Sequence, residues 1–165
     1  MTDRTRTVTW HDPHTTAAAG RQMAGIDYLR AMMDGTLPPP PALLTLGVTM
    51  ATVDDSRVTM AMEPGEHLYN PLGSVHGGMI ATLLDSVMGC AVHATLPAGR
   101  GYTTLEFKMN FIRPVSIRTG TVTGVGTVVH TGRQSAVAER RVLDASGRLY
   151  ATASTTCLVF DLPPG

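Results

Sequence analysis

Residues 70–96 read NPLGSVHGGMIATLLDSVMGCAVHATL. From His76 to Leu96 this stretch is nearly apolar on every side, with Met79, Ile80, Leu83, Leu84, Val87, Met88 and Val92 leaving no polar face. A helix of that kind belongs inside a fold. A sheet that curls around it would bury it from several sides. Into this helix the sequence places Asp85, whose neighbours four residues away are Ala81 and Gly89. No local cation rescues it. A carboxylate in apolar surroundings is costly unless it is hydrogen-bonded or paired. Such an acid serves either as a base sharpened by burial or as an interface group satisfied by hydroxyls or backbone.

The start of the helix carries a second signal. His76 is followed by Gly77 and Gly78, and two glycines cost helix stability. The first N–H groups of a helix lack internal partners and carry positive potential. Glycine there lets a carbonyl oxygen approach them closely, as an oxyanion hole does. A close helix–sheet contact would also demand small residues. Gly77 and Asp85 lie ~12 Å apart along one helix. They cannot both touch one carbonyl in one subunit. If they cooperate, each site combines two chains, which implies an obligate dimer.

Outward from this helix, the chain reads as strands. Thr45 to Val53, Arg57 to Met62, Thr103 to Arg113, Thr119 to Val129, Gln134 to Leu143 and Leu149 to Phe160 fit strands separated by turn residues. Strict alternation puts Leu105, Phe107, Met109 and Phe111 on one face, and Thr104, Glu106, Lys108 and Asn110 on the other. Before these, Met23, Ile26, Leu29 and Met33 predict one helix over 15–34, closed by Gly35. Pro38 to Pro41 predict a stiff extended connector. The element order is α, β, β, α, β, β, β, β. Short turns between the last four strands favour an antiparallel sheet.

Composition narrows the function. The chain has 165 residues, 13 basic and 13 acidic, with zero formal net charge. This excludes a nucleic-acid binder that works through a broad basic surface. Charged residues are only 16%, which suits an oligomer. Residues 1–99 hold five Arg and nine acids, whereas residues 100–165 hold eight basic residues and four acids. Lys108 is the only lysine. Arginine grips phosphates bidentately, which suits a phosphorylated ligand near the C-terminal half. Cys90 and Cys157 form no CxxC, so neither a disulfide scaffold nor a zinc site is expected. Met1 to His14 has no apolar core and does not read as a secretory signal. Met79 to Leu96 is interrupted by Asp85, Gly89 and His93 and does not read as a membrane span. The expected location is the cytoplasm.

The motif resembles a known family. Asn70, Gly73, His76, Gly77, Gly78 and Asp85 fit N-x-x-G-x-x-H-G-G-x-x-x-x-x-x-D at every defined position. That pattern is similar to hot-dog-fold acyl-CoA thioesterases of the phenylacetic-acid-degradation type, in the 4-hydroxybenzoyl-CoA thioesterase superfamily. The resemblance continues through Asn110-Phe111-Ile112-Arg113-Pro114, His130-Thr131-Gly132-Arg133 and Asp144 to Arg148, and covers about residues 43–160. It implies an α+β hot-dog fold: an antiparallel sheet wrapped around one long central helix, here with an extra N-terminal helix. The implied layout is a flexible tail at 1–14, the helix and Pro-rich connector at 15–42, the thioesterase domain at 43–160 and a tail at 161–165.

The resemblance also implies the chemistry. Asp85 would activate water or attack the thioester carbonyl itself. Gly77 would polarise that carbonyl through its N–H, and Asn70 and His76 would organise the loop and the thioester. A hydroxyl on the following strand would hold the water; counting back from Pro114 gives Thr104. Gly78, Arg113, His130, Gly132 and Arg133 are the candidate contacts to CoA. No metal or organic cofactor is implied, and the partners are acyl-CoA and further copies of the chain, as a homodimer building a homotetramer. A hot-dog hydratase or dehydratase pairs a His with an acid at other positions. A non-catalytic acyl-CoA-binding protein would not need Asp85. His93 reads as a satisfied core histidine, and Cys90 reads as packing rather than nucleophile.

Overall fold

The computed structural model describes residues 2–163. Met1 and residues 164–165, the outer ends of the two expected tails, lie outside the described residues. Six strands form one antiparallel sheet in the order β1-β2-β4-β5-β6-β3. They are β1 (Val48–Asp54), β2 (Arg57–Met62), β3 (Arg100–Phe111), β4 (Val122–Thr131), β5 (Ser135–Asp144) and β6 (Leu149–Asp161). Three short helices precede the sheet: α1 (Pro13–Gly20), α2 (Gly25–Met33) and α3 (Pro41–Leu46). The long helix α4 (Gly77–Ala94) touches all six strands. Leu83, Leu84, Val87, Met88, Ala91 and Val92 are fully enclosed against Val58, Met60, Met62, Val122 and Val142 of the sheet. The expected architecture, a sheet wrapped around one apolar helix, is therefore present. Length and apolarity alone would let α4 cross a membrane, but here it fills the core.

The N-terminal region departs from the reading of one helix over 15–34. The chain makes two helices and turns between them at residues 21–24. Glycines mark both ends of the break. A side chain at Gly20 would strike the Tyr28 ring, and one at Gly25 would overlap the His93 carbonyl oxygen at 1.8 Å. The Gly25 N–H donates to Leu96 O at 2.9 Å. Docking on the C-terminal end of α4 thus overrides the local helical pattern. Helix α2 then lies along β1 and α4, with Leu29 only 1% exposed. Tyr28 meets the His93 ring, and His93 meets Tyr102 of β3, each pair 5.5 Å between centroids.

The expected strand from Thr45 also needs correction. Pro41 starts helix α3 at the position where its missing N–H costs nothing. Gly47, at φ 72°, closes it in the left-handed cap. Leu43 and Leu46 face the core, and β1 begins at Val48. Parts of the expected tails are fastened. Arg6 donates to Thr45 O at 2.7 Å and contacts the His67 ring, and Arg4 pairs with Glu66. Asp161 belongs to β6, and the Leu162 N–H bonds Gly99 O at 2.8 Å.

The turn between β5 and β6 hangs on Asp144. Its Oδ1 accepts from the Ser146 hydroxyl and from the N–H groups of Ser146 and Arg148, and its Oδ2 accepts from the Tyr150 hydroxyl. The Ser146 hydroxyl, then the Arg148 N–H, hold the carboxyl down at about 2 from its ordinary 3.8. A lowered folded value means stability that is complete above about pH 4 and is lost as pH falls through about 2. Asp144→Ala is therefore expected to lower the Tm at pH 7 and to flatten its dependence on pH between 4 and 2. Calorimetry across that range checks both.

Candidate active site

Asp85 sits halfway along α4, on a stripe that the sheet leaves partly open. Residues 78, 82, 85, 86 and 93 on this stripe are less buried than the core face. The carboxylate is therefore half-buried rather than sealed in the core. Its Oδ1 accepts a hydrogen bond of 2.9 Å from the Thr104 hydroxyl of β3. No bond from the chain engages Oδ2 among the described residues.

Thr104 reaches Asp85 because β3 does not alternate strictly. The register with β6 slips between Thr104 and Glu106. Leu105 is squeezed out of the ladder and is 61% exposed. This bulge restores the inward face one residue later. Thr104 therefore shares the helix-facing side with Phe107 and Met109, against the alternation expected from sequence. Its partner across the ladder is Cys157.

The groups around Asp85 are neutral or cationic. Burial, and then the charge of Asp85, push the Cys90 thiol up to about 12. Burial also raises the Tyr102 phenol well above its usual value, with Cys90, Cys157 and Asp85 adding to the shift. Burial lowers His93, so this ring is neutral between its two tyrosines at pH 7. Cys90 cannot supply a thiolate at neutral pH. Cys90→Ala is expected to keep kcat/KM within about threefold of the parent. A much larger loss in steady-state assays would make the thiol a participant.

The other motif residues gather at the start of α4. His76 caps the helix, its Nδ1 accepting from the Gly78 N–H at 2.9 Å. That bond occupies the Gly78 donor. Among the described residues no hydrogen bond engages the Gly77 N–H. A side chain at Gly77 would meet the tip of the Phe111 ring at 2.8 Å, and Phe111 is exposed enough to move aside. Asn70 organises the preceding loop: its Oδ1 accepts from the N–H of Leu72 at 2.8 Å and of Ser74 at 3.4 Å. Gly73, at φ 80°, completes this turn. The His76 N–H bonds Leu68 O, and the Val75 N–H bonds Val115 O. A cavity of about 480 Å³ opens beside Gly77, lined by Asn70, Phe111, Arg113 and Tyr150. Arg113 donates to Leu149 O at its rim.

The remaining candidates lie at the far end of the helix. Thr131, next to His130, faces Thr95 at the C-terminus of α4, 3.2 Å between hydroxyls. A side chain at Gly132 would touch the His130 ring at 3.1 Å, and the Arg133 carbonyl accepts from Arg100. One chain thus brings Asp85 and Thr104 together, and it brings Asn70, His76, Gly77, Gly78 and Arg113 together. His130, Gly132 and Arg133 form a third group, ~27 Å from Gly77 along the helix axis. A larger hollow of about 650 Å³ lies on the sheet, lined by Arg57, Lys108, Glu139 and Arg141. It includes none of the candidate residues. Among the described residues, no three His, Cys, Asp or Glu side chains cluster as metal ligands.

Sequence reasoning missed Arg140. It is 4% exposed, and its Nη1 donates to Leu84 O at 2.6 Å, directly before Asp85. The available signal was an arginine at an inward position of β5, between Ala138 and Val142.

Comparison with known proteins agrees with this geometry. The model of the thioesterase superfamily matches residues 72–151. The proofreading thioesterase EntH of Cronobacter sakazakii is 30% identical over 108 residues, covering 66% of this chain and 77% of that protein. The 1,4-dihydroxy-2-naphthoyl-CoA hydrolase of Escherichia coli is 25% identical over 134 residues, 81% of this chain and 93% of that protein. Among solved structures, a phenylacetic acid degradation-related protein of Ralstonia eutropha JMP134 is 31% identical with TM-score 0.72, over 79% of this chain and 98% of that one. The motif, the wrapped helix and these likenesses converge: the chain belongs to the thioesterase superfamily, as a hot-dog hydrolase of the phenylacetic-acid-degradation type.

Proposed function

We propose that this protein hydrolyses an aryl- or short- to medium-chain acyl-CoA to the free acid and CoA, at sites shared between two chains. The observation that carries this reading is the Thr104–Asp85 hydrogen bond on the open stripe of α4. The hydroxyl fixes one carboxylate oxygen and leaves Oδ2 for a water molecule. The E. coli relative is named for a CoA thioester, which supports CoA as the leaving thiol.

The reaction follows from these groups. Asp85 takes a proton from water as the water oxygen attacks the thioester carbonyl. The carbonyl oxygen becomes an oxyanion and accepts the Gly77 N–H at the helix N-terminus, where the macrodipole adds positive potential. The intermediate then collapses and expels the CoA thiolate, a far better leaving group than an alkoxide, and the thiolate takes up the proton held by Asp85, which restores the carboxylate. Gly77 and Asp85 of one chain are ~12 Å apart, so the amide comes from one protomer and the acid from its partner. His76 and Asn70 hold the loop that presents Gly77. The CoA phosphates lie against Arg113 on one protomer and against His130, Gly132 and Arg133 on the other. Dimers pair into a tetramer in the cytoplasm, and no further cofactor takes part.

Release of free thiol from a panel of aryl-, short- and medium-chain acyl-CoAs tests the reading. Turnover of at least one class is expected, together with a dimer or larger species by light scattering. No thiol release, with hydration of an enoyl-CoA instead, would move the protein to hydratase chemistry. Tight acyl-CoA binding without any turnover would make it a binding protein.

A further inference from the structure

Arg140 is a charged side chain in an apolar place. It projects from β5 beneath α4, opposite Gly126 of β4 and Ala153 of β6. Its Nη1 holds the Leu84 carbonyl. Its Nε and Nη2 are buried without a hydrogen-bond partner among the described residues. No carboxylate lies within ion-pair distance of it among the described residues. A guanidinium placed this way is expensive, and packing alone would be better served by an aliphatic residue. Burial draws its basicity down to about 9, with the negative charge of Asp85 working in the opposite direction. Arg140 therefore remains a cation at neutral pH.

The titratable and hydroxyl groups near Asp85 can be named element by element. They are the Thr104 hydroxyl and Tyr102 phenol of β3, the Cys90 thiol of α4, the Cys157 thiol of β6 and Arg140 of β5. Burial raises both thiols and the phenol, so all three are neutral at pH 7. Arg140 is the one positive charge in this set. We infer that Arg140 is a positioning residue for hydrolysis: its hydrogen bond to the Leu84 carbonyl fixes the α4 backbone one residue before Asp85, and so fixes where that carboxylate meets the Thr104 hydroxyl. This rests on Asp85 being the base. Arg140 does not touch substrate, because its side chain lies between helix and sheet.

Three variants separate the hydrogen bond from packing. Arg140→Lys and Arg140→Gln keep a donor for the Leu84 carbonyl, and Arg140→Met keeps only the apolar stem. Each is purified with the parent, and kcat and KM are measured on one acyl-CoA. In the Met variant, which cannot hold the Leu84 carbonyl, kcat is expected to fall about tenfold with KM within about twofold. Arg140→Lys and Arg140→Gln restore most of that loss. A folded Met variant with the parent's kcat, or an equal loss in all three variants, would overturn the inference. Asp85→Asn run alongside keeps the two ideas apart. If that variant stays active, the reading of Asp85 as base fails, whatever Arg140 does.

Discussion

Asp85→Asn is expected to lower kcat for thioester hydrolysis by about 10²–10⁴-fold, the range for loss of a general base, with KM within about threefold. The substitution preserves shape. The asparagine carbonyl can still accept the Thr104 hydroxyl, so the 2.9 Å bond that orients residue 85 survives. What disappears is an oxygen basic enough to take a proton from water. The Gly77 N–H remains, so in the proposed mechanism the carbonyl is still polarised and some rate above the uncatalysed reaction is expected to persist. In the proposed site CoA does not contact the oxygens of residue 85, so the loss is expected to fall on kcat rather than KM. Single-turnover measurements sharpen the result: the chemical step itself slows, while acyl-CoA binding measured by calorimetry stays close to the parent. A kcat within a few-fold of the parent would remove Asp85 from the chemistry and leave it as a polar interface residue.

Much of this site could be read from the chain because its signals are local. The turn residues of the 70–74 loop, the capping His76, the paired glycines and the acid two turns later all sit in one short stretch. The geometry of a helix converts their spacing directly into distance. Thr104 was legible only as a residue type near the right place. Its orientation depends on the bulge at Leu105, which arises from the pairing of β3 with β6 and leaves no mark in alternation. The break between α1 and α2 was hidden for a related reason. The apolar spacing of Met23, Ile26, Leu29 and Met33 is helical, but the contact of Gly25 with His93, far along the chain, decides where the helix begins. Helix α3 was masked by its prolines, which read as an extended connector although Pro41 is also a good first helical residue. Arg140 was illegible because its burial depends on the curl of the sheet. Sequence places it next to Arg141, which lies on the opposite face.

Gly126→Ala is expected to destabilise the protein by about 3 kcal/mol, the upper end for overpacking a close-packed interior, and to lower Tm by roughly 6–12 °C for a chain of this size. The added Cβ would lie 2.4 Å from the Val87 carbonyl oxygen and 3.0 Å from its carbon. Both sides of that contact are backbone, one in β4 and the other in the middle of α4, so no side chain can swing away. Gly124, two residues earlier on the same strand, supplies the comparison. Its added Cβ would meet only the side chains of Val87 and Leu83, at 3.1 Å and beyond. These can shift by a few tenths of an ångström. Gly124→Ala carries the same change in strand propensity and in unfolded-state entropy, so the difference between the two variants isolates the backbone clash. The consequence reaches the site. Relief of the clash requires α4 to lift from the sheet at Val87, half a turn from Asp85, and this stretches the reach from Thr104. Gly126→Ala should therefore lose catalytic rate below its melting range, whereas Gly124→Ala should keep it. Equal stability and equal activity in the two variants would mean that the helix can ride higher on the sheet without cost, and that the close approach at Gly126 does not set the position of the carboxylate.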